Sequence, residues 1–160
     1  DAIKEGAKAD IGMINPGSIR ADLDIGEITV EEIVNIYPFI DKTVTVEIDG
    51  KALLELIEYS ASLTFGLVQF SGLQIEYDFR KAVGQRLITA TVNGNAIRET
   101  NKYAISCSSF VAGGGDGFSM LKNGKVLARS EEKQIDYLLN YIKARKDLYL
   151  PEIGRQIIHK

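Results

Sequence analysis

Four glycines fall within the five positions 113–117, and the one remaining position is Asp116. Each glycine loses more conformational freedom on folding than any other residue, so a run this dense is a poor way to build a slack loop. It suits a tight path with positive φ that carries one carboxylate inside it. A fixed carboxylate accepts two hydrogen bonds from neighbouring hydroxyls, as the 2',3'-diol of a ribose offers. The loop is not a Walker loop, since no Lys-Ser/Thr follows, and Phe118 stands where a dinucleotide fingerprint needs its third glycine. With one carboxylate it is not a calcium loop. A purely structural turn remains the competing reading.

Around this loop the chain reads as one α+β domain, residues 1–160, with a mixed β-sheet flanked by helices. Residues 1–9 read as the end of a helix, and 9–15 as a short buried strand that Pro16-Gly17 ends. Thr29-Val30-Glu31-Glu32 is a capping box, and Pro38 stops the helix it starts. Residues 43–48 (TVTVEI) alternate as a strand, and Asp49-Gly50 reads as a turn. Residues 51–62 place Leu53, Leu54, Ile57 and Ala61 on one helical face. Two strands are predicted near 68–78 and 86–93, with Asn93-Gly94 the hairpin signal, and a further strand over 103–108. Residues 131–144 read as an amphipathic helix through Ile135, Leu138, Leu139 and Ile142. Residues 145–160, with basic residues and Pro151, read as a tail packed on the surface.

Charge and composition narrow the function classes. With a formal net charge of −3 and a pI of about 5.3, the chain has no electrostatic footprint for a nucleic-acid polymer. A small anion needs only one or two placed arginines. Cys107 is the single cysteine, so no internal disulfide forms. No apolar run reaches the length of a membrane-spanning helix. No signal peptide is read, and the opening Asp1-Ala2-Ile3-Lys4 reads as mid-protein.

Three further segments can carry a ligand. In Asn15-Pro16-Gly17-Ser18-Ile19-Arg20 a strand end and a turn present an amide and a guanidinium. The amide can read a base edge and the guanidinium fork matches phosphate. A plain turn with a solvated arginine explains the same residues. In Tyr37-Pro38-Phe39 a ring just after a proline can be held at the surface, or can simply pack in the core. In Gln69-Phe70-Ser71-Gly72 the glycine points to a bulge or a close backbone approach, for which sheet geometry is the preferred account, and Gly66 can bring backbone near a ligand.

A hydrolytic centre is harder to find. The only histidine is His159, in the tail, and a two-metal centre needs several His and Asp ligands. Cys107, inside a strand, reads as a small buried apolar group rather than a nucleophile.

Taken together, the segments NPGSIR, GEIT, YPF, IDGKALLELIE, VQFSGLQIEYD, GQRL and SSFVAGGGDGF resemble, in order and spacing across residues 9–118, the C-terminal domain of the 5'-nucleotidase family. That family includes UDP-sugar hydrolases, ecto-5'-nucleotidases and 2',3'-cyclic-nucleotide phosphodiesterases. The resemblance implies a two-domain enzyme, exported to the periplasm, cell wall or cell surface. Its N-terminal metallophosphoesterase domain would hold two divalent metal ions and an Asp-His pair, and its C-terminal domain would grip the nucleoside part of a small nucleotide. It implies no cofactor within the C-terminal domain itself. By position, Phe39 and Phe110 match the rings that sandwich the base, and Asp116 matches the carboxylate that takes the ribose hydroxyls. Asn15 matches an asparagine near the base, Arg20 an arginine that meets phosphate, and Gly66 a glycine lining the pocket.

The chain also departs from the pattern. Pro16 stands where many members have glycine, and Asp41 where some have Asn or Gly. The segment around Gly66 is one residue shorter than in some members. Nothing here resembles the Asp-x-His or Gly-Asn-His motifs of the catalytic domain, and a further substrate-binding arginine of the family lies upstream of Asp1. A self-sufficient enzyme using Asp116 or Cys107, and a cell-surface binding module without a hydrolytic partner, are the competing classes.

Overall fold

The computed structural model describes residues 1–145, 147–149 and 153–160; Pro151 lies outside them. In chain order the elements are α1 (Ala2–Ala7), β1 (Ile11–Ile14), α2 (Val30–Ile36), β2 (Lys42–Asp49), α3 (Gly50–Ser60), β3 (Gln69–Ser71), β4 (Leu73–Asp78), β5 (Leu87–Val92), β6 (Asn95–Ala96), β7 (Lys102–Ser108), α4 (Ser109–Ala112), α5 (Ser119–Lys122), β8 (Lys125–Lys133), α6 (Gln134–Lys143) and β9 (Gln156–His159). Single 3₁₀ turns occupy Pro16–Ser18 and Gly115–Gly117.

Local chemistry accounts for most of these boundaries. Thr29 and Glu32 close the capping box of α2: the Thr29 hydroxyl accepts from the Glu32 N–H at 3.2 Å, and the Glu32 carboxylate accepts from the Thr29 N–H at 2.7 Å. Asp49-Gly50 is not a free turn. Asp49 ends β2 and caps α3 by accepting from the Ala52 N–H at 2.9 Å. The buried face of α3 runs through Leu53, Leu56, Ile57 and Ser60. Leu56, not Leu54, completes the face, as the i, i+3, i+4, i+7 pattern requires.

The strands form two sheets, where one was expected. The first has the order β3-β1-β7-β2-β8, and the second β6-β5-β4-β9. The stretch 68–78 is not one strand: Gly72 divides it, so that β3 joins the first sheet and β4 the second. Gly72 has φ +84°, and a Cβ there would lie 2.2 Å from the Asp10 carbonyl oxygen. Only glycine passes this crossing without moving backbone. Asn93 and Gly94, at φ 48° and 79°, turn β5 back onto β6 as the hairpin signal predicts.

Three expectations are revised at the C-terminal end. Residues 125–133 form a strand, β8, that pairs antiparallel with β2 at the sheet edge, and its last three residues take the place of the first turn expected of the helix. In α6 the apolar residues are only half-buried, and Gln134 is the one buried residue. The tail supplies β9, which pairs in parallel with β4, so it is part of a sheet rather than a surface wrapping.

Helix α3 packs on β2 and β7 of the first sheet and on β5 of the second. The core therefore lies around α3 and takes side chains from both sheets, among them Val46, Ile105 and Tyr77. In the first sheet, β1 runs parallel to β7, whereas β3 pairs antiparallel with β1 and β2 with β7. The ends of β1 and β7 and the starts of β2 and β3 thus lie at one end of the sheet. Segments 15–20, 39–41, 66–68 and 109–117 all leave or enter the sheet there.

Candidate functional site

At this end of the sheet the side chain of Asn15, only 7% exposed, has both ends engaged. Its amide Nδ2 donates to Asp116 Oδ2 at 2.7 Å, and its Oδ1 accepts from the Ser18 hydroxyl at 2.6 Å. In this state Asn15 directs its amide at the acid of the glycine-rich loop and not at an open base-binding face. The bond joins residues 101 positions apart.

Asp116 is half-buried in the 3₁₀ turn and sits at φ 53°, ψ 20°, in the left-handed region. Gly114 and Gly117 beside it have φ 92° and 86°. The tight positive-φ path expected from the glycines is therefore what forms. The Asp116 carbonyl accepts from the Tyr59 hydroxyl at 2.9 Å.

Phe110 lies on α4, whose first turn is capped by the Ser108 hydroxyl accepting from the Val111 N–H at 3.2 Å. The Phe110 ring is 50% exposed and lies against Gly115, where a Cβ would come within 2.5 Å of it. Phe39 is partly exposed. It leans edge-on against Tyr37, with centroids 5.5 Å apart and an interplanar angle of 69°. Tyr37 is a fixed post: burial pushes its hydroxyl pKa up, with the Asp41 charge adding to the effect, and the hydroxyl donates to Gln134 Oε1 at 2.5 Å. The Arg20 guanidinium stands over the Phe39 ring, 5.4 Å from its centroid.

Two more contacts tie these segments together. Ser109 donates to Asp41 Oδ1 at 3.2 Å, which links the Phe39 segment to the Phe110 segment. Gly66, at φ +123°, lies against Pro16, where a Cβ would come within 3.0 Å of the proline ring. Of the six residues singled out in the sequence, the structure joins Asn15 to Asp116 and Arg20 to Phe39, and sets Gly66 and Phe110 against Pro16 and Gly115. Neither Phe39 nor Phe110 is buried in the core. Sequence reasoning missed Tyr59, Ser18 and Ser109 as supports. Tyr59 carried one signal, its place beside the buried face of α3.

The other candidates lie elsewhere or are inert. Cys107 is fully buried, and burial pushes its thiol up to about 12, away from thiolate chemistry. His159 belongs to β9, with Nε2 2.6 Å from Glu76 Oε1 on β4. Among the described residues no three His, Cys, Asp or Glu side chains converge on a metal position, and no helix is long and apolar enough to cross a membrane. A cavity of about 1010 Å³ opens between α1, α6, β3 and the C-terminal segment, and none of the six residues lines it. Its size alone does not make it the site, since the exposed rings and the held acid lie at the sheet end.

The family model for the 5'-nucleotidase C-terminal domain matches residues 1–123. An apyrase of Tabanus yao is 32% identical over 160 residues, which cover 91% of this chain and 29% of the relative. A snake venom 5'-nucleotidase of Macrovipera lebetinus is 31% identical, covering 89% and 39%. The crystal structure of a 5'-nucleotidase precursor from Thermus thermophilus superposes with a TM-score of 0.90 at 26% identity, over 99% of this chain and 34% of that one. The chain thus spans well under half the length of each of these proteins.

Proposed function

The chain belongs to the family of 5'-nucleotidase C-terminal domains, and we propose that it is the nucleotide-binding domain of a metal-dependent phosphohydrolase. The observation that carries the reading is the Asn15–Asp116 hydrogen bond, which brings the strand-end motif and the glycine-rich loop together at the sheet end where both open rings lie. Phe39 and Phe110 hold the base between them, and stacking on an aromatic face contributes about 1–3 kcal/mol per base. Asp116 accepts from the ribose diol, Asn15 steadies Asp116, and Gly66 leaves room at the pocket wall. Arg20, exposed beside Phe39, meets phosphate.

Hydrolysis belongs to a partner domain of the same polypeptide, a metallophosphoesterase domain with two divalent metal ions. Among the described residues no His, Cys, Asp and Glu side chains converge as such a centre requires. The substrates are small nucleotides, dephosphorylated by the whole enzyme. Export is supported by one relative named as a venom protein and one structural neighbour named as a precursor.

The test is calorimetry of the purified chain with adenosine and with AMP, beside a phosphate-release assay with Mn²⁺ or Zn²⁺. An exposed arginine–phosphate pair is worth about 1 kcal/mol or less. Both ligands should therefore bind within about tenfold of each other, tenfold being about 1.4 kcal/mol, and no phosphate should be released. Failure to bind either ligand would sink the nucleoside reading. Metal-dependent turnover that survives repurification and is lost in Asp116→Ala would place a catalytic centre in this chain after all.

A further inference from the structure

Asp116 is held from two sides. Asn15 holds the carboxylate at 2.7 Å, and Tyr59, from the last turn of α3, holds the backbone carbonyl at 2.9 Å. We infer that Tyr59 is a positioning residue for ribose recognition, setting the backbone angle from which the Asp116 carboxylate faces the diol. The inference rests on the nucleoside reading above.

Three observations support it. Asp116 adopts φ 53°, a left-handed conformation that costs a non-glycine residue some free energy, less for Asp than for most, and that a fixed hydrogen bond helps to hold. The hydrogen bond from Tyr59 orients the peptide plane between Asp116 and Gly117, and so holds the Asp116 backbone in that well. Gly117 has no side chain at the point where Tyr59 arrives: a Cβ there would lie 2.0 Å from the Tyr59 hydroxyl oxygen. The Tyr59 ring is itself fixed, edge-on against the fully buried Phe118 with centroids 5.2 Å apart at 89°. The hydroxyl therefore reaches the loop from a rigid base in the core. Asn15 restrains the carboxylate at its tip, and the Gly117 and Phe118 N–H groups, donating to Gly114 and Gly115 at 3.2 Å each, close the turn itself; the Tyr59 hydroxyl ties the Asp116 carbonyl of that turn to α3.

Tyr59→Phe removes the hydroxyl and keeps the ring on Phe118. Calorimetry of wild type and variant with adenosine and with 2',3'-dideoxyadenosine separates positioning from general support, because only adenosine offers the diol. Wild type should prefer adenosine. The variant should lose roughly five- to tenfold in adenosine affinity, the size of one net hydrogen bond, and bind the dideoxy ligand as wild type does. Gly117→Ala disturbs the same contact from the loop side and should also narrow the preference for adenosine. Equal losses for both ligands, or an unchanged preference in a folded Tyr59→Phe, would overturn the inference while leaving the nucleoside site in place. A wild type that binds both ligands equally would remove the diol role of Asp116, and the inference with it; a wild type that binds neither would remove the site.

Discussion

A phenylalanine that serves the core gives up both faces to neighbours, and Phe110 does not. Half of it is exposed, its ring rests on a glycine, and it sits one residue after Ser109, which is tied to Asp41. Phe110→Ala should therefore weaken adenosine by about 1–3 kcal/mol, the worth of one stacked face. It should change unfolding stability by only about 0.5 kcal/mol, as expected of a surface substitution away from the core. Calorimetry and urea unfolding of the same preparation test both halves. A large stability loss with unchanged affinity would mean that the ring is structural. The residues around it were unevenly legible. Asp116 stood out because a dense glycine run is costly unless it builds something, and Phe110 through the resemblance of its segment to the family. Tyr59 did not, because a tyrosine on a helix carries no mark of the loop its hydroxyl will reach.

Gly72 has the same dependence on context at the level of strands. Buried apolar residues alternate through Val68 and Phe70 before Gly72 and through Leu73, Ile75 and Tyr77 after it, and the chain changes sheets at the one residue where that alternation slips. The positive φ leaves no easy conformation for a side chain, and the Asp10 carbonyl oxygen, 2.2 Å from where a Cβ would lie, leaves no room for one. Gly72→Ala should destabilise the fold by about 2 kcal/mol or more, the range for a substitution that forces strain at a special backbone angle against a backbone atom. The denaturation midpoint in urea is the readout. A midpoint within error of wild type would show that the crossing can shift, and that the two sheets are less tightly registered than their contacts imply.

The ends of the molecule are tied back to its body. β9 is hydrogen-bonded along β4, with the Ile75 N–H donating to Arg155 and the Phe79 N–H to His159, each at 2.8 Å. Ion pairs join Arg155 to Asp1 and Arg145 to Glu5. These pairs are partly exposed and worth little. The backbone ladder is the larger contribution, since without it the outer edge of β4 would stand open beside core residues Ile75 and Tyr77. Deleting residues 156–160 should lower the melting temperature by several degrees and promote self-association through the bared edge. Thermal melts with light scattering check this, and a monomeric, equally stable deletion would show that β9 is an accessory strand.

The sequence by itself determined what is decided within a few residues. The capping box at Thr29 and Glu32, the alternating strand 43–48, the hairpin at Asn93-Gly94 and the positive-φ path of the glycine run all form as read. Each depends on a side chain or backbone preference acting on its near neighbours. Tertiary structure alone decided the partners. β8 carries no alternation because nearly all of it is exposed at a sheet edge, so no buried face writes a period into it. β9 is a strand only because β4 offers it backbone groups. The Asn15–Asp116 bond and the Tyr59–Asp116 bond join distant parts of the chain, and such pairings depend on how the sheets bring their ends together, which no local preference encodes.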